Sequence, residues 1–188
     1  MRVCVCGGTN PGTNPKFLEG YEEIGELLCQ HDFELVWGGN KFGVLAAIHQ
    51  AYIKNNKPNT LILPKPYLDD LNGMTTDKVI IVDTINDRQD AMMHNSDVIV
   101  FVPGGIGTTY EFWTCVECLR CGEINNKLIL YNHNNFWEKQ IEFMNFINEN
   151  GFTKTGIGGA PYKVTPEELF TVVSNPQELI AALLKIKK

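Results

Sequence analysis

The stretch "DVIVFVPGGIGTTYEFWTCVECLR", residues 97–120, decides the predicted fold because it joins a strand to a helix through bare glycines. Its first six residues, 97–102, are nearly all apolar and rich in valine and isoleucine, which predicts a short buried strand. Pro103, Gly104 and Gly105 end that strand, and residues 108–120 predict the helix that follows. A buried strand that leads directly into a helix is the building unit of a parallel sheet.

The same unit recurs along the chain. We predict strands at residues 2–6, 33–37, 59–64, 78–83, 97–102, 127–132 and 169–173, and helices at residues 17–30, 44–56, 84–95, 108–120, 136–150 and 176–188. Strands that are continuously apolar are buried on both sides, so the sheet lies between two helix layers. We therefore predict an α/β fold with a single doubly wound, Rossmann-like and mostly parallel sheet.

No linker rich in proline, serine or glycine divides the chain, so residues 1–188 are predicted to form a single Rossmann-like domain. The irregular stretch "TKTGIGGAPYK", residues 153–163, is either a connecting loop or a cover over a site.

Composition narrows the classes of partner. Of the 188 residues, 44% are hydrophobic and 20% are charged, and the formal net charge is −6. An acidic chain is a poor match for a nucleic-acid polymer or an anionic membrane, which favour basic patches. The sequence shows no signal-peptide pattern and no apolar run of about 18 residues. We therefore expect a cytoplasmic protein.

Six cysteines invite a metal interpretation, because three of them fall in "CVECLRC", residues 115–121. Residues three apart on a helix share a face, and a reduced cysteine packs like a small hydrophobe. No second ligand cluster accompanies them. We therefore predict free thiols and no metal site.

Three predicted strands end in a glycine pair, namely Gly7-Gly8, Gly38-Gly39 and Gly104-Gly105. In a doubly wound sheet, ligands bind beyond the carboxyl ends of the strands. Three bare main-chain segments at one edge indicate that a ligand approaches the backbone closely there.

The last glycine pair leads into a helix start, where unpaired N–H groups and the helix dipole favour a phosphate. The chain lacks the G-x-x-x-x-G-K-[ST] phosphate loop, and no G-x-G-x-x-G follows the first strand, so we predict no dinucleotide and no other cofactor. A monophosphate is the natural ligand. Its predicted contacts are Gly104, Gly105, Gly107, Thr108 and Thr109.

Two charged residues near this edge have both a structural and a catalytic interpretation. Thr108 and Glu111 have the spacing of a capping box, in which both side chains satisfy main-chain amides, yet a carboxylate beside a phosphate site is costly without a use. Arg88 follows a second such pair, Thr84 and Asp87, on the first turn of a helix, where the dipole disfavours a cation. It either meets an anionic ligand or is a solvated arginine that pairs with a nearby acid.

These motifs together resemble the Lonely Guy family of phosphoribohydrolases, long mislabelled as lysine decarboxylases. "PGGIGTTYE", residues 103–111, resembles the PGG-x-GT-x-x-E signature of that family. "CGGTNPG", "VWGGNKFGVLAA" and "NDRQDAMMHNSDVIVFVPGG" resemble three further stretches of it in the same order. The order and spacing agree over about residues 2–184.

The resemblance implies cleavage of the N-glycosidic bond of a nucleoside 5′-monophosphate, AMP or an adenine-modified relative, to free base and ribose 5-phosphate. It implies that Arg88 and Glu111 are catalytic and that the protein is a homodimer. Gly8, Asn10, Gly38, Gly39 and Gly43 are then expected to contact the nucleotide together with the phosphate loop. Departures from the family pattern include Asn40, Asn86, Gln89 and Tyr110.

Two rival functions can be compared with hydrolysis, and the residues give chemical support to the first of them alone. One is a non-catalytic binder of the same fold, either a nucleotide sensor or a molybdenum-cofactor carrier, which the losses at Asn86 and Gln89 favour. The other is an amino-acid decarboxylase, which usually needs a lysine that carries pyridoxal phosphate. Lys41 is the one lysine near the glycine-bearing edge.

Overall fold

In a computed structural model, which describes residues 1–10, 12–17, 19–71, 73–153 and 165–188, seven strands form one sheet. Every neighbouring pair of strands is parallel, and the order is β4-β3-β2-β1-β5-β6-β7. The predicted doubly wound α/β fold is confirmed. The strands are β1 Arg2–Cys6, β2 Glu34–Trp37, β3 Asn59–Pro64, β4 Lys78–Val82, β5 Val98–Phe101, β6 Lys127–Tyr131 and β7 Phe170–Val173.

Helices cover both sides of the sheet, because alternate residues of each central strand point to opposite layers. In β1, Val3 and Val5 belong to one buried cluster, whereas Cys4 and Cys6 belong to the other. The first cluster contains residues of α1, α2 and α7, and the second contains residues of α3, α4, α5 and α6. The helices are α1 Tyr21–Gln30, α2 Gly43–Lys54, α3 Ile85–His94, α4 Ile106–Cys121, α5 Glu138–Glu149, α6 Pro166–Leu169 and α7 Pro176–Lys187.

One predicted helix starts later than the sequence pattern indicated. The prediction began at Phe17, but that residue ends a short 3-10 turn, Pro15–Phe17, and α1 begins only at Tyr21. Gly20 precedes the helix with φ 84°, a left-handed conformation that interrupts helical geometry. Apolar periodicity ran across this break because Phe17 happens to keep the helical spacing.

Three other sequence-based expectations concern the stretch 153–163, membrane spans and the cysteines. Only Thr153 of the stretch 153–163 lies within the described residues, so the choice between a loop and a cover lies outside them. Within the described part of the chain, no helix combines the length and the apolarity that a membrane span requires. All six cysteines are free thiols.

The chain reverses its direction of winding between β1 and β5. Strands β2, β3 and β4 lie on one side of β1, and β5, β6 and β7 lie on the other. The register pairs Cys6 with Phe101, so the glycine loops after β1 and β5 leave the sheet side by side. The Gly8 N–H donates a hydrogen bond to the Pro103 carbonyl at 2.9 Å, which joins the two loops. Such a switch point is where open α/β sheets bind ligands.

Candidate active site

A cavity of about 500 Å³ opens above the switch point. It lies over the carboxyl ends of β1, β2 and β3 and is closed on the remaining side by α3 and the start of α4. Nine of the twelve residues that the sequence predicted for the site line this cavity: Gly8, Asn10, Gly38, Gly39, Arg88, Gly105, Gly107, Thr108 and Glu111.

The other three predicted residues do not line the cavity. Gly43 and Gly104 lie behind its wall, where they allow main-chain segments to pack closely. A Cβ atom at Gly43 would lie 2.5 Å from the Gly8 carbonyl oxygen, and one at Gly104 would lie 2.2 Å from Thr108 Oγ1. The hydroxyl of Thr109 donates instead to the Gly105 carbonyl of its own helix at 3.1 Å.

The phosphate site predicted at the start of α4 has the expected main-chain form. The N-cap is Gly105, and no side chain caps this helix end. The first N–H groups of a helix lack intrahelical acceptors, so those of the first turn are available to a ligand. Added Cβ atoms at Gly105 and Gly107 would meet nothing within 4 Å, so the space above this turn is open.

The capping-box interpretation of Thr108 and Glu111 is wrong. Because the N-cap is Gly105, Thr108 is already inside the helix and Glu111 belongs to its second turn. The Glu111 carboxylate instead accepts a hydrogen bond from Arg88 Nη2 at 3.2 Å. Glu111 is 7% exposed. The glutamate therefore serves neither to cap its helix nor to contact bulk solvent.

The electrostatic surroundings of Glu111 favour its neutral form. Burial raises the pKa of the Glu111 carboxyl, while the positive charge of Arg88 and a hydrogen bond from the Cys6 thiol act in the opposite direction. Burial prevails because water no longer solvates the charge. A carboxyl group with a raised pKa beside a cation is typical of a site that moves protons.

Arg88 reaches this position because its helix is firmly capped. Thr84 Oγ1 accepts from the Asp87 N–H, and the Asp87 carboxylate accepts from the Thr84 N–H, so the predicted capping box of α3 is confirmed. Asp87 is thereby occupied, and the acid that pairs with Arg88 is Glu111 on the neighbouring helix. The guanidinium lies near Gly38, where an added Cβ would be 3.5 Å from Arg88 Nη1. The Arg88 Nε is buried and has no hydrogen-bond partner among the described residues.

Two residues that form hydrogen bonds with Glu111, Gln89 and Cys6, were not predicted from the sequence. Gln89, 3% exposed, donates to the Glu111 carbonyl at 3.4 Å and to Cys115 Sγ at 3.2 Å. Cys6 lies beside the carboxylate in the cavity wall, with its sulfur 4.0 Å from Cys4 Sγ. The departure at Gln89 thus lies between two helices, and the cavity wall does not contain it.

Two further departures contact each other. The Tyr110 hydroxyl donates to Asn86 Oδ1 at 2.8 Å across the exposed ends of α4 and α3. Neither residue lines the cavity. Their pairing explains how both positions can differ from the family pattern together without altering the Arg88–Glu111 contact.

The opposite end of the cavity was not predicted from the sequence. It is walled by residues that follow β2, by one residue of β3 and two of the connection after it, and by one residue of α3: Asn40, Lys41, Phe42, Leu63, Tyr67, Met74 and Met92. Phe42 is 70% exposed and Tyr67 is 43% exposed, so both rings are free to meet a ligand. The connection from β3 to β4 has no periodicity, so Tyr67 and Met74 could not be recognised from a sequence pattern.

The family is shown by comparison with known proteins. The family model described as "Possible lysine decarboxylase" matches residues 44–183, and the chain belongs to this family. Its curated relatives include the cytokinin riboside 5′-monophosphate phosphoribohydrolase LOG1 of Arabidopsis thaliana, 25% identical over 185 residues, which cover 97% of this chain and 82% of the relative. The probable phosphoribohydrolase LOGL2 of Oryza sativa subsp. japonica is 24% identical over 183 residues, which cover 97% and 71%.

Solved structures share the fold. The molybdenum cofactor carrier protein of Chlamydomonas reinhardtii superposes with a TM-score of 0.71 at 19% identity, over 99% of this chain and 97% of that one. The molybdenum cofactor binding protein of Rippkaea orientalis gives a TM-score of 0.69 at 18% identity, over 100% and 97%. At this identity the likeness concerns the architecture alone.

Proposed function

We propose that the protein hydrolyses the N-glycosidic bond of a nucleoside 5′-monophosphate, AMP or an adenine-modified relative, to free base and ribose 5-phosphate. The observation that carries this proposal is the buried Glu111 carboxylate, held by Arg88 at 3.2 Å in the wall of a cavity into which the start of α4 opens. Relatives named phosphoribohydrolases, which this chain matches over 97% of its length, support the same chemistry.

In the proposed complex the 5′-phosphate binds the open first turn of α4. The main-chain N–H groups near Gly105 and Gly107 and the positive end of the helix dipole hold the anion. This contact fixes the ribose about one helical turn from Glu111, since that residue lies one turn further along α4. Positioning of this kind contributes a large part of the rate in hydrolytic enzymes.

The carboxylate of Glu111 then acts on the ribose. As the base leaves with the bonding electrons, positive charge develops on the sugar, and a nearby carboxylate stabilises it. Water attacks the anomeric carbon, and Glu111 accepts a proton from that water. The departing base takes up this proton, which gives neutral free base and restores the carboxylate. The charge of Arg88 opposes the effect of burial and favours the ionised glutamate, the form that this step requires.

The base is proposed to occupy the cavity end formed by Tyr67, Met74 and Leu63. These side chains are apolar or aromatic, and an exposed tyrosine ring offers a surface on which a purine can stack. A flat, uncharged base fits a largely apolar wall better than a charged group does. We also propose that the enzyme works in the cytoplasm as a homodimer without a cofactor.

The proposal is tested with a panel of nucleoside 5′-monophosphates, by following the release of free base. Glu111→Gln is expected to abolish turnover while nucleotide binding stays measurable by calorimetry. The matched control is Glu117→Gln, which changes a glutamate on the same helix whose side chain is 59% exposed and pairs with Arg120. Glu117→Gln should turn over at the parent rate.

Two results would contradict the proposal. Turnover by Glu111→Gln at the parent rate would remove the glutamate from its role. Absence of turnover on every nucleotide, with tight binding of a phosphorylated ligand, would instead support the non-catalytic carrier.

A further inference from the structure

Two consecutive residues of α3 both contact Glu111. Arg88 donates to the side-chain carboxylate at 3.2 Å, and Gln89 donates to the main-chain carbonyl at 3.4 Å. We propose that Gln89 is a positioning residue, whose amide fixes α4 against α3 so that Arg88 and Glu111 stay in contact. This inference rests on the proposed function for its catalytic meaning.

The Gln89 amide bridges two points one turn apart on α4. Its Nε2 also donates to Cys115 Sγ at 3.2 Å, so a single side chain contacts the helix at the glutamate and again one turn beyond it. Gln89 is 3% exposed, and Cys115 is fully buried. A buried amide whose N–H groups are satisfied in only one arrangement disfavours sliding of the two helices, because sliding leaves the amide unpaired.

The other polar links between the two helices are more exposed. Among the described residues, they are the partly buried hydrogen bond between Arg88 and Glu111 and the exposed one between Tyr110 and Asn86. The buried amide is therefore the link that water competes with least. A loss of this link should loosen the Arg88–Glu111 contact without removing either partner.

The ionisation of the Glu111 carboxyl is a measure of its contact with Arg88, because the positive charge of Arg88 favours the ionised form. The groups that act on it are Arg88 from α3, Cys6 from β1 and, through mutual repulsion of their charged forms, Cys115 from its own helix. Replacement of Gln89 by an uncharged residue removes none of these groups, although the Cys115 thiol loses the donor that acts on it. A change in the titration of Glu111 then measures the geometry of the pair.

The test is Gln89→Met, which keeps the length of the side chain but removes the donor. The Glu111 carboxyl is titrated by ¹³C NMR, with its signal assigned by its absence in Glu111→Gln. We expect the pKa of Glu111 to rise in Gln89→Met, because Arg88 stabilises the charge less. We also expect kcat on the best nucleotide to fall roughly 10- to 100-fold with little change in KM, as for a misplaced catalytic group.

The matched control is Asn126→Leu, which removes another buried amide that anchors α3. Asn126 Nδ2 donates to the Met93 carbonyl at 3.0 Å, at the far end of that helix. Glu111 should titrate in this control as it does in the parent. If Gln89→Met does not fold, Gln89→Asn, which keeps the amide but is one methylene shorter, takes its place with the same expected shift.

An unchanged Glu111 pKa and an unchanged kcat in the folded Gln89 variant would overturn the inference. The NMR titration needs no turnover, so it decides the role of Gln89 in holding the pair even if the parent hydrolyses no nucleotide. A parent protein that hydrolyses no nucleotide would overturn the proposed function and leave the inference about Gln89 intact.

Discussion

Glu111 lies buried in the cavity wall, and its carboxylate is 3.2 Å from the Arg88 guanidinium. Three residues after Thr108, it matches a capping box, yet the helix begins at Gly105 and the carboxylate turns to Arg88 on another helix. Arg88 and Glu111 could be singled out from the sequence because a cation is disfavoured at a helix start, a carboxylate is costly beside a phosphate site, and both residues match a family resemblance. Their mutual contact, and the support from Gln89, depend on how two helices pack and have no local signal.

The first prediction concerns the pH dependence of stability. Burial raises the pKa of Glu111 in the folded protein, so the folded state binds this proton more tightly than the unfolded chain does. The stabilising contribution is present below the unfolded value of about 4.3 and is lost as the pH rises through the folded pKa. Glu111→Gln, which does not ionise, should therefore unfold at a higher temperature than the parent at pH 8.

The same difference should shrink as the pH is lowered towards 4, because the parent glutamate then becomes neutral as well. Thermal denaturation followed by circular dichroism over this pH range measures it. A stability difference that is independent of pH would show that Glu111 does not titrate in this range.

The second prediction concerns Gly43, which has φ 73° and lies against the Gly8 loop. Gly43→Ala combines a left-handed conformation with a contact of 2.5 Å to a main-chain oxygen, so we expect a loss of about 3 kcal/mol in the free energy of unfolding. Gly122→Ala is the control, since Gly122 has φ 77° but no neighbour within 4 Å. It should lose only about 1 kcal/mol.

Urea denaturation of both variants gives the comparison. Equal losses for the two alanines would mean that the Gly8 loop yields easily, and that the close approach of the loops after β1 and β2 is not fixed.

At the scale of elements, the order and type of strands and helices followed from the sequence. Continuous runs such as residues 97–102 are apolar on both sides, which only a sheet between two helix layers satisfies. The start of α1 was mispredicted because a single glycine at position 20 interrupted an otherwise regular pattern. The irregular connection that carries Tyr67 has no repeating pattern at all, so one end of the cavity could not be predicted.

The third prediction separates stability from ligand binding at the start of α4. Gly107 lines the cavity, and an added methyl group meets no atom within 4 Å in the ligand-free protein. Gly107→Ala should raise the free energy of unfolding by about 0.5 kcal/mol, because glycine is a poor helix former. If a phosphate binds this turn, the methyl group should weaken ribose 5-phosphate binding roughly tenfold, equivalent to 1.4 kcal/mol.

The control for this prediction is Thr114→Ala, which improves helix propensity further along the same helix without touching the cavity. Isothermal titration calorimetry should give this control the parent affinity. Parent affinity in Gly107→Ala would place the phosphate elsewhere.

At the scale of the whole molecule, the two halves of the sheet meet at the site, and apolar side chains surround its outer edge. Ile106 is 92% exposed, Ile85 46% and Tyr110 41%. Clusters of exposed apolar side chains are typical of surfaces that contact another protein. These residues support the proposed homodimer.

The fourth prediction tests that assembly by sedimentation velocity. The parent should sediment as a dimer, and Ile106→Lys should shift the population towards monomer because it places a charge in the proposed interface. Phe152→Lys is the matched control, since Phe152 is 82% exposed and lies just after α5. A monomeric parent, or an equal effect of both lysines, would contradict the proposed dimer.

The hydrogen bond from Gly8 to Pro103 has a consequence for how such proteins evolve. Both of its atoms belong to the main chain, so exchanges of side chains on either loop leave the bond intact as long as residues 8 and 104 stay small. Because this bond joins main-chain atoms, the two loops can keep their relative position when many of their side chains are substituted. New ligand preferences can then arise through substitutions at the rim, with no need to rebuild the junction beneath them.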